Sequence, residues 1–264
     1  MESVLARICD EARERVASTR RVLPRPDVAA APVPRHLDLG RFGVIAEVKK
    51  ASPSAGSIDA GADVVAQAQA YESGGAAAVS VLTEPSRFGG SLDDLRAVRA
   101  AIELPVLRKD FVVDEYQVAE ARAGGADAVL LIVAALGSGE VVDLADAVRS
   151  LGMTPLVEVL DVAEVEVALG AVAAGGLFGC NARNLHSLEV HLGTWEAVGA
   201  ELARIAPEGV VAVAESGVRG PEDAVRARAA GYRGILVGEA LMRAGDPGAA
   251  VRHLREAAEA GAPA

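Results

Sequence analysis

Eight apolar runs alternating with segments of helical periodicity, a glycine signal recurring about every 50 residues, and a length of 264 residues predict an α/β fold. The class is a (β/α)8 barrel with an N-terminal helical extension, since such barrels take about 250 residues as one domain. The runs lie near 44–48, 77–82, 105–109, 128–133, 154–159, 177–181, 210–215 and 234–238. Helices are expected near 62–73, 91–103, 115–124, 139–151, 161–174, 194–206, 221–230 and 248–260.

Ahead of the first strand, Val4, Leu5, Ile8, Ala12 and Val16 share one helical face between Ser3 and about Arg20, and Pro24, Pro26, Pro32 and Pro34 mark a linker. Residues 1–43 are thus an extension of the same domain as the barrel at 44–264. From the residues alone the helix can cap the barrel mouth or plug its bottom.

Val44 to Ala46 opens the first strand, and Glu47 and Lys49 follow on one face of it. Unpaired charge at the end of a buried strand is costly, which marks this pair as functional. Pro53 keeps Ser52 out of a helix, so Ser52-Pro53-Ser54 is a loop with hydroxyls for an anion. The stretch from Lys50 to Ala60, with Gly56 and Gly61 near its far end, is expected to be mobile until substrate orders it.

Later strands read as continuous runs such as Ala128-Val129-Leu130-Leu131-Ile132-Val133, as parallel strands covered on both faces require. Gly74-Gly75, Gly124-Gly125, Gly175-Gly176 and Gly231 each close a helix before a strand, the interval being two strand-helix units. A doubly wound open sheet would want a glycine-rich turn after its first strand. Ala-Ser-Pro-Ser stands there instead, and no G-x-G-x-x-G occurs at a strand-helix junction, so no nucleotide cofactor is expected.

Composition narrows the function. Aromatics are 3% of a chain that is 51% hydrophobic, so Val, Leu, Ile and Ala must build the core. A net charge of −11 without a basic run argues against nucleic acid. Cys9 and Cys180 stand far apart and His36, His186, His191 and His253 are scattered, so no metal site is expected and the thiols read as free and cytoplasmic. No apolar run approaches the about 18 residues of a membrane span, and the first residues lack a signal peptide's core.

Barrel chemistry sits at the C-terminal strand ends. Those positions hold Glu47 and Lys49 (first strand), Lys109 (third), Glu158 (fifth), Asn181 and Arg183 (sixth), Glu215 and Ser216 (seventh), and Gly238 with Glu239 (eighth). Charges of both signs around one cavity are unfavourable unless a ligand or a reaction uses them.

Glu47-Val48-Lys49-Lys50-Ala51-Ser52-Pro53-Ser54 resembles the signature of the indole-3-glycerol phosphate synthase family. Leu82-Thr83-Glu84, Phe88-Gly89-Gly90-Ser91, Leu107-Arg108-Lys109-Asp110-Phe111 and Leu130 to Leu136 are similar to it too, as are the later strand ends, so the resemblance runs from Val44 to Met242. It implies a cofactor-free TIM barrel of tryptophan biosynthesis, a carboxy-lyase acting on a small phosphorylated substrate, with the N-terminal helix packed over the mouth. The ring of 1-(o-carboxyphenylamino)-1-deoxyribulose 5-phosphate would close with loss of CO2 and water.

By the same resemblance Lys109 is the general acid, expected to have its pKa lowered by burial and positive neighbours. Glu158 and Lys49 are the base and second acid of dehydration. Glu47 and Glu215 orient the lysines and sugar hydroxyls, Asn181 binds the intermediate, and Arg183 and Ser216 bind substrate. Ser52, Gly217, Gly238 and the Glu239 backbone hold the phosphate, and the protein is a monomer or a weak homodimer. Two alternatives are a related phosphate-binding barrel, such as phosphoribosylanthranilate isomerase or the tryptophan synthase α subunit, and a non-catalytic phosphate binder. The isomerase would want a cysteine at the end of strand one, where Glu47 and Lys49 stand, and a binder would be expected to lose one of Lys109, Lys49 and Glu158.

Overall fold

The computed structural model describes residues 3–52, 56–57, 61–185 and 187–261, with only the backbone of Ser52 and Ser57. Eight parallel strands close into a barrel: β1 Gly43–Val48, β2 Ala78–Leu82, β3 Val106–Lys109, β4 Ala128–Ile132, β5 Thr154–Val159, β6 Leu177–Asn181, β7 Val211–Glu215 and β8 Gly234–Val237, with β1 hydrogen-bonded to β8. Each expected apolar run is a strand, to within a residue at either end. Outside the barrel, Ala51–Ser52 pairs antiparallel with Gly56–Ser57; most of the rest of the loop expected to be mobile, Pro53 to Ala55 and Ile58 to Ala60, lies outside the described residues.

The helices are α1 Val4–Val22, α2 Val64–Ser73, α3 Pro85–Phe88, α4 Leu92–Ala101, α5 Glu115–Ala123, α6 Ser138–Ser150, α7 Val165–Val172, α8 Gly193–Ile205, α9 Pro221–Ala229, α10 Glu239–Met242 and α11 Pro247–Ala260. Three details differ from expectation. The helix expected at 161–174 begins as a 3-10 turn at Val162–Glu164, because the Asp161 carboxylate accepts from Ala163 N (2.8 Å) and that of Glu164 from Leu160 N (2.7 Å). Short α3 arises from Pro85 at its first position and the buried Glu84 carboxylate, which accepts from the N–H groups of Ser86, Arg87 and Phe88. Short α10 follows β8 directly, with Gly238 as its cap. The repeated glycines Gly75, Gly125, Gly175 and Gly231 all have positive φ, which explains the spacing: each reverses the chain from helix to strand where a side chain would be strained.

The strand registers order the interior into layers contributed by alternate strands. Glu47 pairs in register with Ser80, Ser80 with Leu107, Leu82 with Lys109, Ile132 with Glu158, Glu158 with Gly179, and both Asn181 and Leu236 with Glu215. Glu47, Lys109, Glu158 and Glu215 therefore form one layer from β1, β3, β5 and β7. Two residues earlier on the same strands, Ile45, Leu107, Leu156 and Val213 form an apolar layer, each fully buried. Between them the even strands contribute Ser80, Leu130, Gly179 and Leu236.

The extension serves both ends of the barrel. Ser3 caps α1, and Leu5, Ile8, Cys9, Ala12 and Val16 are its buried face. Helix α1 crosses the mouth, with Leu5 and Ile8 lining the cavity there. Ion pairs fix it to the loops after β2 and β3: Arg87 with Glu11, Arg15 with Glu84 (3.6 Å) and Arg20 with Asp114 (2.8 Å). The linker then descends to the bottom, where Arg35 N donates to the buried Asp127 carboxylate (2.6 Å). Leu37 and Leu39 are buried there, Leu39 so tightly that a Cβ on Gly43 would lie 2.7 Å from it. Of the two positions open to the helix it takes the mouth, and the linker leucines cover the bottom.

Candidate active site

A cavity of about 520 Å³ opens at the C-terminal ends of the strands. Its two sides differ in chemistry. Leu5, Ile8, Phe88, Phe111, Leu130 and Ile132 make an apolar side, with the Phe88 and Phe111 rings 6.4 Å apart. The turns after β7 and β8 bring Ser216, Gly217, Arg219, Gly238 and Arg243 to the other. The layer of charged side chains lies between them as the floor.

In that layer Lys109 Nζ is 2.5 Å from Glu215 Oε2 and 3.6 Å from Glu158 Oε2. Burial alone would lower the pKa of this lysine, but Glu215, Glu158 and Glu47 outweigh it and raise it well above its usual value. The expectation of a lowered pKa fails because the neighbours within reach are carboxylates. The floor therefore keeps Lys109 cationic.

Glu47 and Lys49 face each other as their spacing foretold, with Lys49 Nζ 2.9 Å from Glu47 Oε1. Burial by itself would raise the Glu47 carboxyl, yet the charges of Lys49, Lys109 and Arg183 hold it below the usual range. Gly238 belongs to this pair as much as to any ligand: a Cβ there would sit 2.5 Å from Glu47 Oε1 and 3.0 Å from Lys49 Nζ.

Glu158 and Glu215 are buried to 1% and 0% exposure. Among the described residues neither Glu158 oxygen has a hydrogen-bond donor, nor has Glu215 Oε1. Burial first, and the Glu158 charge after it, push the Glu215 carboxyl up to about 8 against the pull of Lys109. Glu215 is held by its backbone as well, its carbonyl accepting from Ala182 N (2.9 Å) and from Trp195 Nε1 (3.3 Å).

Asn181 ends β6 and its Oδ1 accepts from Arg183 N (2.9 Å). Arg183 donates in turn to the carbonyl of Leu188 (2.9 Å), folding the loop back so that Leu185, Leu188 and Val190 reach the cavity. After β7, Ser216 and Gly217 have φ of 60° and 88°. A positive φ at a serine is strained, and such strain collects at functional sites. The Glu239 carboxylate turns to Arg243 (3.1 Å to Nε). Of Ser52 only the backbone is described; its hydroxyl lies outside the described residues.

The structure thus brings Glu47, Lys49, Lys109, Glu158, Asn181, Arg183, Ser216, Gly217, Gly238 and Glu239 to one cavity, with Glu215 in its floor. Sequence reasoning missed Arg219, Arg243 and the apolar side. Leu5 and Ile8 were legible only as helix positions with no target, and Arg219 and Arg243 stand one turn beyond the strand ends. Asp110, also at the cavity, is a structural anchor: it accepts from Thr83 Oγ1 (2.6 Å) and from Arg108 (2.9 Å).

Comparison with known proteins agrees with this geometry. The family described as indole-3-glycerol phosphate synthase matches residues 6–254. An indole-3-glycerol phosphate synthase of Parafrankia sp. is 54% identical over 239 residues, covering 89% of this chain and 86% of its own. That of Beutenbergia cavernae is 50% identical over 259 residues, covering 96% and 94%. A crystal structure of 3-hexulose-6-phosphate synthase superposes with a TM-score of 0.58 over 82% of this chain and 99% of its own; at 18% identity it shows the fold alone. Neither the isomerase-like alternative nor the non-catalytic one is favoured by these matches. A family match over nearly the whole length and relatives at half identity, on a barrel whose charged layer sits where the family's motifs fall, establish that the chain belongs to the indole-3-glycerol phosphate synthase family, carboxy-lyases of tryptophan biosynthesis.

Proposed function

We infer that this chain converts 1-(o-carboxyphenylamino)-1-deoxyribulose 5-phosphate to indole-3-glycerol phosphate, releasing CO2 and water. The observation that carries the reading is the floor of Lys109, Glu158 and Glu215 between an apolar side suited to an aryl ring and glycine turns suited to a phosphate. Lys109 is the general acid that meets the carbonyl oxygen as the aryl carbon attacks. A lysine held cationic in the resting site suits this role, because it stands loaded with the proton it gives and its charge stabilises the one developing on that oxygen.

Glu158 then takes the ring proton in dehydration and Lys49 protonates the leaving hydroxyl. Glu47 sets Lys49, and Glu215 sets Lys109. Asn181 binds the intermediate, Arg183 the anthranilate carboxylate, and Ser216 the substrate chain. The phosphate is held by Ser52, Gly217, Gly238 and the Glu239 backbone; pairing of the Glu239 carboxylate with Arg243 supports the backbone role, since it draws the negative charge aside. Arg219 and Arg243 add positive charge on that side.

The reading extends to a cytoplasmic protein, a monomer or weak homodimer, with 1–43 and 44–264 as parts of one domain. No helix among the described residues is long and apolar enough to cross a membrane. The test is purified protein with the carboxyphenylamino-deoxyribulose phosphate, watching indole fluorescence. Appearance at a rate set by enzyme concentration is expected, and its absence with substrate bound would overturn the reading.

A further inference from the structure

The floor of the cavity sets the Lys109 cation against two buried carboxyl groups that no other described cation meets. Lys109 reaches Glu215 Oε2 at 2.5 Å, leaving Glu215 Oε1 and both oxygens of Glu158 buried without a donor among the described residues. Both carboxyls approach the same Lys109 Nζ, Glu215 at 2.5 Å and Glu158 at 3.6 Å. Gly179, in register with Glu158 on the strand between them, makes that approach possible: a Cβ there would overlap Glu215 Oε1 and lie 3.3 Å from the Cα of Glu158. Two buried carboxylates facing each other with no donor are unfavourable twice over, by repulsion and by unmet acceptors, and a single proton between them relieves both.

We propose that Glu158 and Glu215 share one proton in the resting enzyme, and that this pair reloads Lys109 after ring closure and is thereby switched into the base that dehydration needs. The proposal rests on the reaction inferred above. When the aryl carbon attacks, Lys109 gives a proton to the carbonyl oxygen, which becomes a hydroxyl. The carboxylate departs as CO2, and its bonding pair restores the aromatic ring. Neutral Lys109, surrounded by carboxyls that favour its cation, takes the shared proton across its contact with Glu215. The pair is now doubly ionised.

Glu158 then removes a proton from the ring carbon beside nitrogen as the hydroxyl leaves as water with a proton from Lys49. The pair again holds one proton, and Lys49 is refilled from solvent. One proton is consumed overall, as loss of a carboxylate as neutral CO2 requires. The order of steps follows from the proton count: the pair has room for the ring proton only once it has given its own to Lys109.

The charged group that meets the pair is Lys109 from β3; Glu47 at the end of β1 acts on that lysine, with Lys49 and Arg183 acting on Glu47 in turn, and the Cys180 thiol on β6, pushed up to about 12 by burial, stays neutral. Glu215, pushed up to about 8, keeps the shared proton at neutral pH.

The test reads the resting protein without substrate, so it is independent of the activity assay. Infrared difference spectra through a pH titration should show the carbonyl band of one buried protonated carboxyl near neutrality, lost on raising the pH past about 8 and absent from both Glu158→Gln and Glu215→Gln. The wild-type titration stands even if a variant does not fold. No such band in the wild type between pH 6 and 7, or a band that survives in both variants, overturns the proposal. Single turnover supplies the kinetic arm: Glu158→Gln, which removes the base the switch delivers, should release CO2 in a first burst while indole formation lags by about 10²-fold or more. Equal slowing of CO2 and indole would overturn the switching step.

Discussion

Replacing Lys109 by Met keeps the packing of the aliphatic stem but removes the cation from between two buried carboxyls. At 2.5 and 3.6 Å, with carboxyl exposures of 1% each, the two contacts are worth about 7 and 5 kcal/mol of gross attraction at an effective dielectric constant of about 20. The carboxyl pair carries one negative charge, so the two figures are alternatives and not a sum, and desolvation of that charge and of the ammonium cancels most of either. Removing one partner of such a group still costs about 3 to 5 kcal/mol, because the remaining charges are left buried and unpaired. The loss should depend on pH. Below about pH 5 the orphaned carboxyls are protonated in the folded and the unfolded chain alike and the penalty nearly vanishes; it grows as the pH rises to 8, where the unfolded chain's carboxyls are ionised and the buried pair resists ionisation. Urea unfolding of wild type and Lys109→Met at pH 5 and pH 8 measures this. Turnover should fall by about 10² to 10⁴, with substrate binding retained. A stability loss equal at both pH values, or turnover within tenfold of wild type, would refute the electrostatic reading of the floor.

Other expectations follow from the same geometry. Lys49→Met should stall dehydration, so that in a single turnover CO2 appears before indole; simultaneous loss of both products with substrate still bound would reassign this lysine. Gly238→Ala puts a methyl 2.5 Å from Glu47 Oε1 and 3.0 Å from Lys49 Nζ, so turnover should drop at least tenfold while the melting temperature changes little, and an unchanged rate would show that the Glu47–Lys49 pair tolerates displacement. Ser80→Ala removes a buried hydroxyl that has no partner among the described residues; stability should hold or rise by up to about 1 kcal/mol, and a loss on denaturant unfolding would reveal a bound water or ligand at that hydroxyl. Exhaustive chelation should leave the rate unchanged, since no proposed role uses a metal; a loss restored by one divalent ion would sink those roles.

All eight strands were legible because a parallel strand buried on both faces must be apolar throughout, and its flanking glycine has to reverse the chain, as at Gly125 and Gly231. The strand-end residues were legible for a related reason: Glu47, Lys109, Glu158 and Glu215 are charges where an apolar run stops, two residues beyond Ile45, Leu107, Leu156 and Val213. What a chain position alone cannot carry is a relation between positions. The proton affinity of Lys109 is set by a carboxylate 106 residues away, and from the sequence its neighbours could as well have been positive. The placement of α1 over the mouth depends on Glu11, Arg15 and Arg20 finding Arg87, Glu84 and Asp114, pairs that separate stretches of chain contribute. The amino-acid order by itself determined which side chains end the strands, because local apolarity and period report burial directly; only barrel closure decided which of those charges touch, and so which of them holds a proton, because that depends on distances across the layer that no local pattern encodes.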